Sequence, residues 1–300
     1  MNIFNKDDLN FFNKKGYLLV KGLIKDQNLK NLNQSSKNIL KKAINIKWPH
    51  VRVYRDYPHF FGKPNIFGVD YPLNRVLDEN IINQFNDLDI NRHIKELGNF
   101  ENFQTELIRL HTNSNFFNYQ GGWHRDHSTF LSPGYLQCVI YLQDENGFKV
   151  VSKDKNEFLV NYGIDSNSQS KMTINDSFIN LPKDMFDVVN ASAGDILFFE
   201  PGLLHQGFCK KYRLHYHMRF KKVAKDLVNS GKSLNFINDL LPSAKLEKKE
   251  GTYNYSMSLR SRIKRLRTFF LYFFPRIKAI AYNTFSRKKK LSIFHSTIWQ

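Results

Sequence analysis

The chain has 300 residues, of which 41% are hydrophobic, so it can bury the core of one large domain or two modest ones. Its 45 Lys and Arg against 27 Asp and Glu give a formal net charge of +18, while a charged fraction of 24% excludes global disorder. Two cysteines exclude both a disulfide scaffold and a metal site made of cysteine alone.

Most of the excess positive charge lies at the end of the chain. Residues 251–300 contain eleven Lys and Arg and no acidic residue, which leaves 34 basic against 27 acidic residues, a net charge of +7, in the first 250. We therefore divide the chain into a main domain, residues 1–244, and a linker with a basic aromatic tail, residues 245–300.

The tail, above all residues 259–300, combines basic with aromatic side chains. Its apolar stretch, 269–274, is too short to span a bilayer, and Arg and Lys flank it on both sides. This composition favours peripheral contact with an anionic membrane, and docking on the main domain or dimerisation is an equal alternative. Nucleic acid is the least favoured partner, because no nucleic-acid-reading motif accompanies the charge.

The beginning of the chain shows no signal-peptide pattern, and no run of 18 apolar residues occurs. With the low cysteine count, this predicts a cytoplasmic protein, peripheral at the membrane if the tail binds there.

The first hundred residues predict mainly helices. A short helix capped by Asp7 or Asp8 ends at Gly16 and is followed by a strand over 17–24. Apolar residues at helical spacing predict a second helix from Asp26 to about residue 44.

Further along the chain, the pattern changes from helices to strands. Residues 48–79, rich in Pro, Tyr and Phe, predict loops and short strands, and residues 81–97 predict a helix. From residue 106, Gly, Pro and Asn separate four strand-like stretches, ELIRLHTN, LQCVIYLQD, GDILFFEP and YRLHYHMRF. Helices followed by a β-rich half predict an α+β, mainly β domain built on a sandwich or barrel.

The stretch GGWHRDHSTF, residues 121–130, contains an H-x-D triplet. On a strand, residues i and i+2 point to the same face, so His124 and Asp126 would present an imidazole and a carboxylate side by side. Such a triplet often occurs by chance, so it predicts a metal site only if a third ligand comes from elsewhere.

His205 is the candidate for that third ligand. It lies in GDILFFEPGLLHQG, residues 194–207, where a hydrophobic strand runs into a Pro-Gly turn, and this places it at the start or the end of a strand. A lone histidine near a turn is usually structural. Two histidines and one carboxylate with open positions, however, suit non-haem Fe(II).

The stretch YRLHYHMRF alternates strictly between polar and apolar residues. Its polar face carries Arg213, His215, His217 and Arg219. If that face meets solvent, the segment is an ordinary edge strand; if it looks into a barrel, it forms a basic wall close to His205. A buried arginine there would need an anionic partner, and a bound dicarboxylate could supply one through a bidentate pair.

Together, WHRDH, GDILFFEPGLLHQG and Arg213, eight residues after His205, resemble the phytanoyl-CoA dioxygenase family of Fe(II)/2-oxoglutarate oxygenases. The opening FFNKKGYLLVKGLIKDQNLKNL is similar to the helix–GY–strand–helix beginning of that family. The resemblance covers residues 5–220.

The resemblance implies a double-stranded β-helix, a jelly-roll or cupin-like barrel, with flanking N-terminal helices. It implies Fe(II) held by His124, Asp126 and His205. It also implies that Arg213, with Arg219 as a second candidate, pairs with the distal carboxylate of 2-oxoglutarate. The implied activity is that of an oxidoreductase, a dioxygenase that uses O₂ to hydroxylate a C–H bond of a small organic or lipid-like metabolite and releases succinate and CO₂.

The sequence departs from the family at some positions near these residues. Arg125 stands where many members have Gln, and Gly207 stands where a small hydroxylated residue is common. Asp126 is present, so the ligand set is not that of the halogenating relatives. Two alternative functions are a jelly-roll protein that binds ligands without turnover and a membrane-tethered interaction protein that acts through the tail.

Overall fold

The computed structural model of the chain describes residues 3–44, 46–47, 52–56, 65–70, 85, 88–112, 123–127, 132–162, 164, 181–207, 213–223 and 251–252. In these ranges the chain forms three α-helices, Lys6–Lys15 (α1), Asp26–Lys42 (α2) and Ile90–Gly98 (α3). The strands are Tyr17–Val20 (β1), Ile46–Lys47 (β2), Arg52–Asp56 (β3), Asn65–Asp70 (β4), Phe103–Thr112 (β5), Tyr135–Tyr141 (β6), Glu145–Val150 (β7), Asp187–Ala191 (β8), Ile196–Phe199 (β9), His205–Gln206 (β10), Leu214–Lys222 (β11) and Gly251–Thr252 (β12).

The predicted interfacial segment, residues 259–300, lies outside the described residues, and its membrane contact remains a prediction. Among the helices that the structure describes, none is both long enough and apolar enough to cross a bilayer.

Helix α1 begins two or three residues earlier than its acidic residues suggest. Asn5 caps it, because the side-chain oxygen of Asn5 accepts a 2.8 Å hydrogen bond from the N–H of Asp8. The prediction that Asp7 or Asp8 is the cap is therefore wrong, and both residues lie in the first turn, where their charges complement the helix dipole. Gly16 ends the helix at a φ of +77°, in the left-handed conformation that favours glycine.

The larger sheet has seven antiparallel strands in the order β1-β9-β6-β11-β5-β4-β3. Alternate residues of its strands point to opposite sides, and in the central strands both sides are buried. On the outer side, Cys138 and Ile140 of β6 and Tyr216 of β11 pack in the core that the helices cover. The hydroxyl of Tyr216 lies 2.9 Å from the Oγ of Ser36 on α2, which ties that helix to the sheet.

The smaller sheet has the order β10-β7-β8, and an antiparallel bridge between His124 and His205 adds a fourth row beside β10. Along the chain, β5, the His124 bridge, β6, β7, β8, β9, β10 and β11 form eight rows, four in each sheet, in jelly-roll order. The fold is thus a double-stranded β-helix with helices against its larger sheet, and the predicted fold class is confirmed.

Between the two sheets lies an apolar interior. Val139 and Tyr141 of β6 and Phe199 of β9 face Val150 of β7 and Val189 of β8 in one buried cluster. The odd-numbered residues of β11 before its bulge, from His215 to Arg219, look toward this interior and not toward solvent, because the even-numbered residues from Leu214 to Phe220 belong to the outer core. The basic wall predicted for β11 therefore lies inside the barrel.

The turn that leads into β9 depends on Gly194. Its φ is +95°, and a β-carbon there would lie only 2.2 Å from the carbonyl oxygen of Ile24. Replacement of Gly194 with Ala is expected to lower the free energy of unfolding by about 2–4 kcal/mol, because the left-handed backbone and the steric clash act together. Urea denaturation measures this loss.

Gly22 provides the matched control, since its φ is +61° and no described atom lies within 4 Å of an added β-carbon. The Gly22→Ala variant is expected to lose only about 1–2 kcal/mol, the cost of the backbone conformation. Equal losses in both variants would contradict the steric explanation for Gly194.

Candidate metal centre

The structure brings His124, Asp126 and His205 together, and one potential ligand atom of each lies within 4.8 Å of the others. The Nε2 of His124 is 3.8 Å from Oδ1 of Asp126, and the Nε2 of His205 is 3.5 Å from Oδ2 of the same carboxylate. In the described part of the chain, this trio forms the one cluster of His, Cys, Asp and Glu with the spacing of a metal site. It is the trio that the sequence predicts.

Backbone hydrogen bonds hold the two segments in place. His124 and His205 exchange two N–H···O bonds of 2.9 Å, whereas the N–H groups of Asp126 and His127 both point at the carbonyl oxygen of Pro201. The prediction that His124 and Asp126 share a regular strand is therefore wrong. His124 makes a single bridge, and the chain then bends so that its next N–H groups bind the turn before β10.

A hydrogen bond and two aromatic contacts within the protein fix the orientation of the His205 ring. Its Nδ1 donates a hydrogen bond of 2.9 Å to the carbonyl oxygen of Leu203, so Nε2 carries the lone pair on the side of Asp126. Phe148 stacks on the ring at 5.5 Å and Phe199 meets it edge-on at 5.2 Å. His205 is buried, whereas the side chain of His124 is 35% exposed, so the centre opens on the side of His124.

The carboxyl group of Asp126 is held in its ionised form. Burial alone would raise the pKa of Asp126. In the acid range where a carboxyl group titrates, however, the protonated rings of His205, His124 and His217 stabilise the carboxylate, His205 also through a hydrogen bond, and they hold the pKa well below its usual range. An anionic oxygen ligand is therefore ready at neutral pH without loss of a proton.

Gln137 on β6 orients this carboxylate, a role that the sequence interpretation missed. Its Nε2 donates a 2.7 Å hydrogen bond to Oδ2 of Asp126, while its Oε1 accepts from Nε2 of His217 at 3.1 Å and from Nε of Arg219 at 3.0 Å. Burial is the main reason that the pKa of His217 falls to about 3, so its ring is neutral when it donates. The available signal was a polar residue at an inward position of the otherwise apolar stretch LQCVIY.

Replacement of Gln137 with Leu is expected to weaken metal affinity by about 10–100-fold, because Asp126 loses the donor that fixes its rotamer. Titration of the apoprotein with a divalent metal measures this loss. Gln104→Leu on β5 is the matched control, because Gln104 lies on the far side of the β11 bulge, paired with Lys221. A Gln137→Leu variant with the metal affinity of the wild type would contradict the orienting role.

The two candidate arginines lie in different surroundings. Arg219 is beside the metal centre, with its Nη2 3.8 Å from Oδ1 of Asp126. Arg213 is 5% exposed, and its Nη2 lies 3.2 Å from Nε2 of His111 on β5. Six residues on one strand separate their α-carbons by roughly 20 Å, so the two guanidinium groups belong to different parts of the interior.

The structure shows the contacts at two positions where the sequence departs from the phytanoyl-CoA dioxygenase pattern. A β-carbon at Gly207 would lie 3.5 Å from Nη1 of Arg213, so glycine keeps the space beside this guanidinium open. Arg125 is buried and its Nη2 donates to Oδ1 of Asn156, in the 3₁₀ helix Lys153–Tyr162. Neither residue supplies a ligand atom to the trio.

No protein-family model matches the chain, and a comparison with curated proteins finds no match. Solved structures of similar fold include EctD from S. alaskensis in its apoform, with a TM-score of 0.53 and 11% identity over 74% of this chain and 78% of that one. AviO1 from Streptomyces viridochromogenes Tue57 has a TM-score of 0.52 and 12% identity over 75% and 97%. The non-heme alpha ketoglutarate dependent carbocyclase SnoK from nogalamycin biosynthesis has a TM-score of 0.50 and 11% identity over 78% and 93%. These similarities agree with the double-stranded β-helix.

Proposed function

We propose that the protein is a non-haem Fe(II)- and 2-oxoglutarate-dependent oxygenase, related to the phytanoyl-CoA dioxygenases, that hydroxylates a C–H bond of a small organic or lipid-like molecule. The observation that carries this proposal is the cluster of two histidines and one ionised carboxylate in a double-stranded β-helix. A solved structure of the same fold, SnoK, is described as non-heme and alpha ketoglutarate dependent, which supports the same class of chemistry.

The three side chains of the trio match Fe(II) both in the chemical type of their ligand atoms and in their number. Two imidazole nitrogens and one carboxylate oxygen are the ligands of the facial triad that Fe(II) oxygenases use. His205 directs a lone pair at the centre because Leu203 accepts its other N–H, and Gln137 occupies one side of the Asp126 carboxylate. We assign the metal to Nε2 of His124, a carboxylate oxygen of Asp126 and Nε2 of His205.

The position of Gly207 favours Arg213 over Arg219 as the residue that pairs with the distal carboxylate. Gly207 is two residues beyond His205, a strand spacing of about 6.6 Å, and it faces the Arg213 guanidinium. A five-carbon diacid chelated beside His205 would therefore reach Arg213 with its far end. Arg219 contacts the ligand Asp126 itself and is too close to the metal for that role.

When bound, iron and 2-oxoglutarate supply the oxidation, in which O₂ converts 2-oxoglutarate to succinate and CO₂ and oxidises the substrate. The chain supplies placement and exclusion of water. Phe148 and Phe199 shield His205, and the exposed side of His124 leaves access for substrate.

Succinate release tests the proposed function. The full chain, loaded with Fe(II) without oxygen and then given O₂ and 2-oxoglutarate, is expected to form succinate, and a panel of candidate substrates should raise that rate. Zn(II) in place of Fe(II) is the control and should give no succinate. Binding of metal and 2-oxoglutarate without succinate formation would favour the binding-protein alternative, and absence of metal binding would contradict the proposed function.

A further inference from the structure

A buried row of hydrogen bonds connects Arg213 with Glu145 through two histidines. The Nη2 of Arg213 is 3.2 Å from Nε2 of His111, and the Nδ1 of His111 is 3.3 Å from Nε2 of His215. The Nδ1 of His215 is 2.6 Å from Oε1 of Glu145. His111 lies on β5, His215 on β11 and Glu145 on β7, and Arg213 directly precedes β11.

One assignment of tautomers satisfies every partner in the row. Glu145 only accepts, so His215 donates from Nδ1 and presents a lone pair at Nε2. In this assignment His111 donates from Nδ1 to His215, and its Nε2 accepts from Arg213, whose Nη2 lies 3.2 Å from Nε2 and 3.4 Å from Nδ1 of the same ring. Burial, reinforced by the charge of Arg213, lowers the pKa of His111 well below its usual value.

The row gives a buried cation a fixed orientation. Arg213 and Glu145 are 5% and 6% exposed, and a buried guanidinium is costly unless its charge and its N–H groups are satisfied. Hydrogen bonds in a chain polarise one another, so an anion at the far end strengthens the acceptor that Arg213 meets. The hydroxyl of Thr112 also holds the carbonyl oxygen of Arg213 at 2.8 Å.

We propose that His111, His215 and Glu145 are positioning residues that orient Arg213 for the distal carboxylate of 2-oxoglutarate. This inference rests on the proposed function, because it assigns the row a role in binding that co-substrate. None of the three residues belongs to the metal trio. In this assignment of tautomers, one ring nitrogen of His111 contacts Arg213 and the other contacts His215.

Two ligands that differ at one end separate positioning from general support of the fold. Pyruvate has the same 2-oxo acid group as 2-oxoglutarate but lacks the distal carboxylate. Calorimetric titration of the Mn(II)-loaded full chain with each ligand measures the two affinities without turnover. His111→Leu and Glu145→Leu are each expected to weaken the affinity for 2-oxoglutarate at least tenfold and to keep the affinity for pyruvate within about twofold of the wild type.

Glu145→Gln is the conservative control, since its amide oxygen can still accept from His215, and it should bind 2-oxoglutarate within about threefold of the wild type. A double variant with Arg213→Leu tests whether the row acts through the arginine. In the Arg213→Leu background, Glu145→Leu should cause no further loss of 2-oxoglutarate affinity, because the arginine through which Glu145 acts has already been removed.

Four results would overturn the inference: unchanged 2-oxoglutarate affinity in folded His111→Leu, equal losses for both ligands, additive losses in the double variant, or a tenfold loss in Glu145→Gln. If the leucine variants do not fold, His111→Asn carries the same comparison, because its short amide cannot reach both neighbours. A wild-type protein that binds neither ligand would instead contradict the proposed function.

Discussion

Replacement of His124 or Asp126 with alanine is expected to abolish stoichiometric Fe(II) binding and to reduce 2-oxoglutarate-dependent succinate formation by at least about 10³-fold. The expected loss exceeds that for Gln137, because a coordinate bond is removed and not only the hydrogen bond that orients it. Metal analysis of the reconstituted protein and succinate release check the two parts of this prediction.

His127→Ala is the matched control for the metal prediction. His127 lies in the same loop, but its ring packs against Tyr135, with 4.5 Å between the centroids. The backbone N–H of His127 that binds Pro201 survives the substitution, so the loop should keep its position. Iron binding and turnover that survive in His124→Ala or Asp126→Ala would show that the proposed trio is wrong.

Replacement of Arg213 with leucine is expected to raise the 2-oxoglutarate KM by about 10²-fold, with a smaller effect on kcat at saturating co-substrate. The reason is the loss of a charge-assisted pair, since each hydrogen bond to a charged group contributes about 1.5–3 kcal/mol. Leucine fills most of the buried volume, and exchange of a buried charge for an apolar side chain is usually tolerated. Steady-state kinetics with varied 2-oxoglutarate measures the change.

Arg219→Leu provides the comparison for Arg213→Leu. Because Arg219 contacts Gln137 and Asp126, its loss should affect the metal centre more than the 2-oxoglutarate KM. An unchanged KM in Arg213→Leu together with a large increase in Arg219→Leu would reverse the two roles.

Local signals predicted the strands that are apolar or alternating, but not all strands of the barrel. The stretch GDILFFEP and the alternating YRLHYHMRF became β9 and β11, as expected. β7 was missed, because its Asn146-Gly147 pair is typical of a turn. In the structure Gly147 has a φ of +102° and lies at a register shift between β7 and β8, so the pair makes a bulge within the strand.

Residue patterns alone predicted a β sandwich or barrel, the trio His124, Asp126 and His205, and the polar face that carries both arginines, and the resemblance to the phytanoyl-CoA dioxygenases narrowed the fold to a jelly roll. Period-two alternation assigns a side chain to a face of its own strand, and this information is local. The folded chain shows, as no local pattern could, that Arg219 lies opposite Gln137 and beside Asp126, whereas Arg213 lies beside His111. Those neighbours depend on the register between strands far apart in sequence, which backbone pairing across the whole sheet sets.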